Sequence, residues 1–573
     1  MSKKINRRHF FKQAGIGSST MYLFLSNVLS NYLSNAVAFA EGTENIQNDL
    51  ISMFNLQLSG GPARWMWDLP LSPNKEIDDL KNHFLITKFG APLSNGASGH
   101  YKNIKVGDCY LPWFWSCNLP TTNGHVAAFE LAKKMFMIRG IEHPTDGHAL
   151  NQGKLLAPIK GVDVPGRLAD KSNRPIPSIG LGQTANFFNS EKGLSHVLTN
   201  SGRKILSSAL APFLQAEPGM LLFDRSLGRP IGGNDVYDQV FENFFNAMSD
   251  SSKELHRFLP SSYKDRHNAK KLLSANFSDL MSSYYALRDK YTALMKRSLV
   301  SNEEALWISG VDNYTINGNQ FNNLNKMTVS NAAIQLVAKP VYTGADLKNI
   351  FNEDTYIRGL VDSFILAEYM ISKGFAQNVH GYIGSMENII IDKITIENGA
   401  NSQELTNQTC RYTMDQHYDG ANSTLIANSR YFKAISSCLY ELMSSLENKG
   451  LFNKTLINIQ SEFSRSTYAN GEGTGHGYKG VPFSFIHSGI ESPIVIGNIG
   501  YEKESGNTLI ERGVWGAAAE VESIGNRHIV AGNVASTISN ILGVESPSPN
   551  NMGLAKLENN KIIPLINERK NKV

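Results

Sequence analysis

The sequence predicts an α/β protein in which helices flank a doubly wound, mostly parallel sheet. Three observations lead to this class. Short apolar runs with strand character recur along the chain, turns rich in Gly and Pro follow them, and longer helical patterns lie between them. Strands that are separated by helices over such distances are typical of parallel sheets covered on both faces.

The predicted strands are short apolar segments, and most of them end in a turn or a polar loop. They span Phe54–Leu58, Met135–Ile141, Pro177–Leu181, Asn388–Ile396, Leu456–Gln460 and Pro493–Ile499. The fourth is rich in Ile and Thr, which strands favour. In open α/β sheets the loops beyond the carboxyl ends of the strands carry the functional residues, so those loops are the place to look for chemistry.

The predicted helices concentrate in the middle of the chain. Between Ala269 and Leu299, apolar residues recur at helical spacing, which indicates one long amphipathic helix. We therefore interpret residues from about 200 to 300 as a helical insertion. The segment Thr424–Glu447 is a second strong helix, and residues 301–330, rich in Asn, Gly and Thr, are interpreted as a linker.

Residues 1–40 have the features of an export signal. The segment Asn6–Lys12, with paired arginines, resembles the twin-arginine consensus, and an apolar stretch and Ala38-Phe39-Ala40 follow it. We expect recognition by the twin-arginine translocase, cleavage before Glu41 and a mature domain of residues 41–573 in the periplasm or outside the cell. The alternative is a retained anchor, but Ser and Asn residues keep the stretch short of the ~18 apolar residues that a membrane span needs.

Composition gives no case for a nucleic-acid-binding role. The chain has 55 Lys and Arg against 51 Asp and Glu, a net charge of +4. Residues 1–40 contribute five of those cations and no acid, which leaves 50 cations against 51 acids in the predicted mature chain. The slight basicity therefore belongs to the signal. With 41% hydrophobic and 18% charged residues, the chain can bury a large core.

Four cysteines leave two alternatives open. In an oxidising compartment, Cys109, Cys117, Cys410 and Cys438 can form two disulfides, and Cys109 with Cys117 would staple the loop between them. Four unpaired, mostly buried thiols are the equally weighted alternative. The spacing matches no zinc-ribbon pattern.

Two of the predicted loops follow strands in the first quarter of the chain. The first runs from Ser59 through Gly60, Gly61 and Pro62 toward Asp68, and paired glycines let the backbone approach a ligand or another strand closely. The second runs from Arg139 to His148 and concentrates histidines, carboxylates and a hydroxyl within ten residues. Such a loop can supply a nucleophile, metal ligands or anion donors. A tight turn and a solvated loop are the structural alternatives.

Two further loops add the remaining metal-binding residue types. The third carries Asp415 and His417 just before the helix predicted from Thr424, and the fourth carries Glu462, Arg465 and, after a glycine-rich spacer, His476. Carboxylates and imidazoles are ligands for divalent metals. We therefore predict that Asp415, His417, Glu462 and His476 converge on one metal site.

The order of these loops resembles a bacterial family catalogued as domain of unknown function 1501. The resemblance rests on Gly60-Gly61-Pro62 with Asp68, on Arg139 with its His-bearing loop, on Met414-Asp415-Gln416-His417, and on Glu462-Phe463-Ser464-Arg465 followed by Gly475-His476-Gly477. A closing helix near Val534–Val544 is also similar. The resemblance covers most of the mature chain and is weak from about 200 to 350.

That family is grouped with alkaline phosphatases and sulfatases, so the resemblance implies an alkaline phosphatase-like fold and metal-dependent hydrolysis of a phosphate or sulfate ester. It implies that Asp415, His417 and His476 form one metal site, with Glu462 supplying an acid of a second. Thr145 stands nearest the expected nucleophile, and His148, Arg139 and Arg465 complete the candidate catalytic set. The planar forks of the two arginines suit a phosphate or sulfate group.

Departures from the family pattern favour one divalent metal (Zn, Mn, Mg or Ca) or none over two. The first strand ends in Ser-Gly-Gly where a metal-binding Asp is expected, and Phe463 stands where an Asp-His pair is expected. The binding partner that we expect is a small anionic ester or an envelope glycan. The alternative function is a catalytically inactive envelope protein that binds a glycan, an anionic headgroup or a protein. In that case Trp113-Phe114-Trp115 would stack on a sugar, unless these aromatics belong to the core.

Overall fold

The computed structural model describes thirteen stretches of the chain. They are residues 50–74, 103–159, 161–174, 176–181, 188–191, 197–199, 222–224, 229–231, 277–300, 351–398, 401–467, 473–503 and 513–572. The predicted signal at 1–40, the predicted linker at 301–330 and most of the predicted insertion at about 200–300 lie outside these ranges.

Thirteen of the described strands form the central sheet or carry the candidate site. They are β1 (Ser52–Leu58), β2 (Met135–Glu142), β3 (Ile176–Leu181), β4 (Val197–Thr199), β5 (Ala376–Ile383), β6 (Met386–Asn398), β7 (Asn401–Tyr412), β8 (Thr455–Ser461), β9 (Ser464–Thr467), β10 (Thr474–Gly477), β11 (Val481–Ile486), β12 (Ile494–Ile496) and β13 (Ile529–Val530).

The central sheet has nine strands among the described residues. Eight follow the order β12-β2-β11-β8-β1-β5-β3-β4, and β13 pairs with the carboxyl-terminal end of β2. Strand β11 is antiparallel to both of its neighbours, β2 and β8. The other pairs in this sheet are parallel. The chain therefore has an α/β fold built on a large mixed sheet.

Seven α-helices flank or extend this sheet in the described ranges. They are α1 (Phe129–Ala132), α2 (His148–Asn151), α3 (Val164–Lys171), α4 (Phe277–Leu299), α5 (Leu360–Ser372), α6 (Ala421–Asn448) and α7 (Ala531–Leu542). Short 3-10 turns occur at Arg64–Met66, Trp113–Ser116, Phe452–Lys454, Tyr478–Gly480 and Glu522–Ile524. Among the helices searched in these ranges, none has the length and apolarity needed to span a membrane.

The remaining described strands form small sheets around the periphery. They are Asn103–Val106 with Cys109–Pro112, Asn118–Thr121 with Gly124–Ala127, Leu222–Asp224 with Arg229–Ile231, Tyr356–Ile357 beside β6, Ile499–Lys503 with Gly513–Ala518 and Asn571–Lys572, and Ala555–Glu558 with Lys561–Pro564.

Two cores lie on opposite faces of the sheet, because successive side chains of a strand point to opposite faces. Phe54 and Leu56 of β1 belong to the core that includes residues of α4, α5 and α6. Met53 of the same strand belongs to the core that includes residues of α3 and α7. Every residue of β1 is buried, as a strand covered on both faces requires.

Four predicted strands are confirmed in position within the central sheet, as β1, β2, β3 and β8. Two predictions differ in outcome. The segment predicted as Asn388–Ile396 is strand β6, but it pairs with β7 as a local hairpin outside the central sheet. The segment predicted as Pro493–Ile499 divides into β12 and Ile499–Lys503, because Gly497 between them has a φ of +98° and its Cα packs against the backbone of Arg139.

The long helices are confirmed where the structure describes them. Helix α6 covers the predicted Thr424–Glu447, and α4 covers the described part of the predicted amphipathic stripe. Strands β5 and β11 and helix α5 were not predicted. Strand β5 has the polar sequence Ala-Gln-Asn-Val-His-Gly-Tyr-Ile, so neither alternation nor an apolar run marks it as the inner strand that it is.

The cysteines and the aromatic run are part of the core. All four cysteines are buried and none forms a disulfide, which corresponds to the second of the two alternatives, buried thiols. Phe114 and Trp115 are fully buried. The Nε1 of Trp115 donates to the carbonyl of Trp67 at 2.7 Å, and the two indoles stack. Trp115 is therefore packed against Trp67 in the core and is closed to a sugar.

Candidate metal centre

The four loops singled out in the sequence meet at one edge of the sheet. Strands β1, β2, β5 and β8 all run in the same direction, so their carboxyl ends share that edge. The turn at Gly60 follows β1, the loop that carries His148 follows β2, and Glu462 follows β8 directly. The loop with Asp415 and His417 returns to the same edge after the β6–β7 hairpin.

A cluster of three imidazoles and one carboxylate lies at this edge. It comprises His148, Asp415, His417 and His476, each half-buried, and one ligand atom from each lies within 4.8 Å of those from the others. The Nε2 of His417 is 3.2 Å from Asp415 Oδ1, and the Nε2 of His148 is 3.5 Å from Asp415 Oδ2. The ring centroids of His417 and His476 are 4.5 Å apart. We call these four residues the His3Asp cluster.

Two of the imidazoles are held from behind by carboxylates. The Nδ1 of His148 donates to Glu462 Oε1 at 3.0 Å, and the Nδ1 of His476 donates to Asp146. In each case the Nε2 atom is left for the centre of the cluster. The Nε2 of His476 is buried and, among the residues that the structure describes, has no hydrogen-bond partner. Metal-binding histidines have this arrangement, in which a carboxylate fixes the ring and its tautomer.

The carboxylate of the cluster is also held from behind. The guanidinium of Arg465 donates to Asp415, and it also donates to the carbonyl of Gly60 at 2.9 Å. Arg465 and His476 lie opposite each other on strands β9 and β10. This hairpin therefore carries the candidate ligand His476 on β10 and, on β9, Arg465, which holds the candidate ligand Asp415.

Hydrogen bonds join the loop of His417 to the strand of His476. Thr474 of β10 donates its backbone N–H to the carbonyl of His417 at 3.2 Å and its hydroxyl to the carbonyl of Gln416 at 2.8 Å. The side chain of Gln416 is fully buried between the hydroxyl of Tyr412 and the amide of Asn428. Gln416 was not singled out from the sequence, since nothing local distinguishes a buried amide from an exposed one.

The Gly-Gly turn after β1 is required by close packing under the cluster. Gly60 donates its N–H to Glu462 Oε1 at 2.7 Å, and a Cβ on Gly60 would lie 2.9 Å from the backbone nitrogen of Asp415. Gly61 has a φ of +63°, and a Cβ there would lie 2.4 Å from the ring of Phe463. The ring of Phe463 in turn stacks on His476 at 4.0 Å. Phe463 thus forms an apolar floor beneath the imidazoles.

The charges in the cluster are strongly coupled. Burial alone would raise the pKa of Asp415, but the hydrogen bond with His148 and the charge of Arg465 outweigh it and hold that pKa well below its usual range. Hydrogen bonds to Asp415 and Glu462 raise the pKa of His148 to about 9. Burial and the charge of Arg465 lower the pKa of His417 to about 4 and also lower that of His476. At neutral pH two imidazoles are therefore ready to act as ligands, and His148 must lose a proton first.

The donor set fits one borderline divalent ion. A tetrahedral ion with ligands at about 2.1 Å places its ligand atoms about 3.4 Å apart. Asp415 is 3.2 Å from His417 through Oδ1 and 3.5 Å from His148 through Oδ2, and the ligand atoms of the four residues all lie within 4.8 Å of one another, so the set is wider than a bound ion requires and would have to close on it. Three nitrogens and one oxygen suit Zn²⁺ and its transition-metal neighbours, whereas Mg²⁺ and Ca²⁺ select oxygen ligands. The described residues thus include one cluster that can hold a metal ion.

The structure gives Glu462 and His148 positions that differ from those the sequence suggested. Glu462 was predicted as a metal ligand, but its carboxylate is occupied by Gly60, Gln57 and His148 and lies one layer behind the cluster. His148 was predicted among the catalytic residues and lies in the cluster itself. The predicted ligands Asp415, His417 and His476 do come together.

Two predicted arginines are buried and present no guanidinium to solvent at the site. Arg139 is fully buried and donates to the carbonyls of Pro70, Leu71 and Gly497, so its role is to join three backbone segments. Arg465 reaches the cluster but its side chain is 0% exposed and is engaged by Asp415 and Gly60. Strand β2 is interior, and its side chains are enclosed on both faces, which explains why Arg139 cannot reach solvent.

Thr145 and Asp68 also have other partners. The hydroxyl of Thr145 donates to Asn151 Oδ1 at 2.8 Å, and Asn151 returns a bond to the carbonyl of Thr145 at 2.7 Å. Asp68 is buried and paired with Arg64, one helical turn before it. Phe463 fills the space next to the cluster where the resemblance implies further ligands.

Comparison with family models, with curated proteins and with solved structures finds no match to this chain. The resemblance drawn from its motifs therefore stays a prediction, and the site has to be interpreted from its own geometry.

Proposed function

We propose that this chain is a metal-dependent hydrolase of phosphate or sulfate esters that uses a single divalent ion. The observation that carries the proposal is the His3Asp cluster, whose four ligand atoms lie within 4.8 Å of one another while carboxylates hold two of the rings from behind. Its position beyond the carboxyl ends of the strands is where α/β enzymes carry their active sites. The order of the motifs supports phosphate or sulfate esters as the substrate class, on an alkaline phosphatase-like fold.

A divalent ion in the cluster would polarise an ester oxygen and make a water molecule acidic near neutral pH. The residues of the chain have distinct parts in this scheme. Asp415, oriented by Arg465, contributes the charged ligand, and His148, His417 and His476 contribute neutral ones. Thr145 is bonded to Asn151 rather than to the cluster, so water is the nucleophile that these residues favour.

The proposal is tested by metal content and turnover together. Protein purified without chelator should contain about one equivalent of a divalent transition metal and hydrolyse an aryl phosphate or an aryl sulfate. His476→Ala should lose both, because it removes a ligand, while His125→Ala, which alters an exposed histidine on a distant hairpin, should lose neither. Turnover that survives in His476→Ala, or a wild-type protein without metal, would refute the proposal.

A catalytically inactive protein that binds an envelope glycan, an anionic headgroup or a protein is the second candidate. It is favoured by the burial of Arg139 and Arg465, which withdraws both expected anion-binding guanidinium groups from solvent. Stoichiometric metal without hydrolysis of any aryl ester would select this candidate over the first.

Export by the twin-arginine pathway is part of the proposal. It is supported by the paired Arg7 and Arg8 and by Ala38-Phe39-Ala40. Replacing both arginines with lysine should retain the full-length precursor in the cytoplasm, detected by fractionation and by its uncleaved mass. A precursor that is exported equally well after this change would refute it.

A further inference from the structure

Two carboxylates at the His3Asp cluster face solvent. The side chain of Asp146 is 52% exposed and that of Asp415 is 39% exposed, whereas that of Arg465 is 0% exposed. Among the described residues, Arg465 is the guanidinium within ion-pair distance of Asp415, and the other partners of these two carboxylates are the histidines of the cluster. With Glu462 behind His148, three carboxylates and one guanidinium give the site a formal charge of −2 once His148 has lost the proton that it must release to bind an ion.

One divalent ion brings this set to neutrality and leaves no surplus positive charge for the substrate. A substrate with one negative charge then meets a balanced site. A substrate with two negative charges, such as a phosphate monoester, adds a charge that exposed Asp146 opposes. Sites for dianions instead present exposed Arg or Lys side chains to the anion.

Two exposed apolar side chains lie next to cluster residues in sequence. Tyr418 is 59% exposed, and its ring centroid is 6.2 Å from that of His417. Leu150 is 63% exposed and lies in the same helical turn as His148. Ligand sites combine a few polar groups with aromatic and apolar side chains of this kind.

We propose that the site takes monoanionic esters that carry an apolar ring on the ester oxygen, as in an aryl sulfate or an aryl phosphodiester, with Tyr418 stacking on the ring. The proposal rests on the proposed function in that it concerns the same site. It selects singly charged esters from the broader phosphate and sulfate class. Tyr418 is a specificity-determining residue in this scheme.

Calorimetric titration with three hydrolysis-resistant anions tests both parts without requiring turnover. Benzenesulfonate is a monoanion with a ring, methanesulfonate is a monoanion without one, and phenylphosphonate is a dianion with a ring at mildly alkaline pH. Each is titrated into metal-loaded and metal-free protein. We expect benzenesulfonate to bind at least about 10-fold more tightly than phenylphosphonate, because the second charge is repelled. We expect it to bind roughly 3- to 10-fold more tightly than methanesulfonate, because aromatic pairs add that much.

Variants of Tyr418 separate ring stacking from folding. Tyr418→Ala should reduce binding of benzenesulfonate to the level of methanesulfonate, Tyr418→Phe should preserve it, and Tyr356→Ala, at another exposed tyrosine, should have no effect. Phenylphosphonate binding as tightly as benzenesulfonate, no binding of benzenesulfonate, or an unchanged Tyr418→Ala would each overturn the inference. Selective binding without hydrolysis would uphold the inference and refute the proposed function, so the two failures are distinguishable.

Discussion

At the scale of single residues, the candidate site depends on side chains that hold other side chains. His148, His476 and Asp415 each have one face toward the centre of the cluster and one toward a fixed partner. A flexible imidazole would lose rotational freedom on binding an ion, and a ring already fixed does not. Glu462 and Arg465 therefore matter to metal binding although neither belongs to the cluster.

Glu462→Gln should weaken metal binding by about 10- to 100-fold, because removing an outer carboxylate partner of a ligand has this effect. The neutral amide can still accept one hydrogen bond, so the fold should be retained. Competition with a chromogenic chelator measures the affinity. Glu558→Gln, in the peripheral strand Ala555–Glu558, is the matched control and should leave the affinity unchanged. Equal affinities in the two variants would remove Glu462 from the site.

Gly61→Ala should destabilise the protein and also weaken metal binding. The left-handed backbone at φ +63° costs a non-Gly residue about 1–2 kcal/mol, and the added methyl group meets the ring of Phe463 under His476. Gly450→Ala is a sharp control, since Gly450 has a φ of +66° and its Cβ would meet nothing within 4 Å.

Denaturant unfolding and metal titration of the two glycine variants separate backbone strain from contact. Both variants should lose a similar part of the free energy of unfolding to the left-handed backbone. The additional loss in Gly61→Ala measures the contact with Phe463. A Gly61→Ala protein with the metal affinity of Gly450→Ala would show that Phe463 does not support the imidazoles.

At the scale of elements, the turn after β1 is fixed by a buried ion pair. Arg64 and Asp68 are both 0% exposed and lie one helical turn apart at the 3-10 turn Arg64–Met66. Arg64 also donates to the hydroxyl of Ser461 at 3.1 Å and to the carbonyl of Pro482 at 3.0 Å. The pair thus connects the carboxyl end of β1 to the carboxyl end of β8 and to the start of β11.

Arg64→Met should lower the free energy of unfolding by about 3–5 kcal/mol, because it leaves the carboxylate of Asp68 buried without its partner. Arg64→Met combined with Asp68→Leu should recover most of the loss, since it removes both charges. Urea unfolding measures each variant. Lys133→Met, which breaks the exposed pair with Glu130, is the control and should cost less than about 1 kcal/mol. A double variant no more stable than the single one would contradict this account.

At the scale of the whole molecule, two cores enclose ionisable groups that must be neutral in the folded state. His143 is 1% exposed and His487 is 0% exposed. Burial, together with the nearby Lys154, lowers the pKa of His143 to about 4, and burial lowers that of His487 to about 4 as well. Below an unfolded-state pKa of about 6.5 the unfolded chain binds protons that the folded chain does not.

The contribution of these two histidines to the free energy of unfolding should therefore be constant above about pH 7 and should fall as the pH drops toward 4. Between about pH 7 and pH 5 each contributes a loss of roughly 2 kcal/mol. His143→Leu should remove the contribution of one histidine to this pH dependence. The substitution breaks no hydrogen bond of the imidazole, since the ring nitrogens of His143 have no partner among the described residues. His125→Leu, at an exposed position, should leave the slope unchanged. Urea unfolding at several pH values measures the slopes, and equal slopes in the two variants would contradict the assignment.

The sequence by itself determined the α/β class, the apolar strands β1, β2 and β8, and the candidate ligands Asp415, His417 and His476. These follow from local patterns, since an apolar run between turns predicts a strand and a polar loop after it predicts a site. The sequence also predicted Glu462 and His148 at the same place, with Glu462 as a ligand and His148 among the catalytic residues.

Only the tertiary structure decided which atoms face the centre and which face away. Glu462 lies behind the cluster because its carboxylate accepts hydrogen bonds from Gly60 and His148. Arg139 is enclosed because β2 is an inner strand of the sheet. The polar strand β5 and the antiparallel β11 are positioned by their neighbours and not by their own periodicity. Such features depend on contacts between residues hundreds of positions apart, which no local pattern encodes.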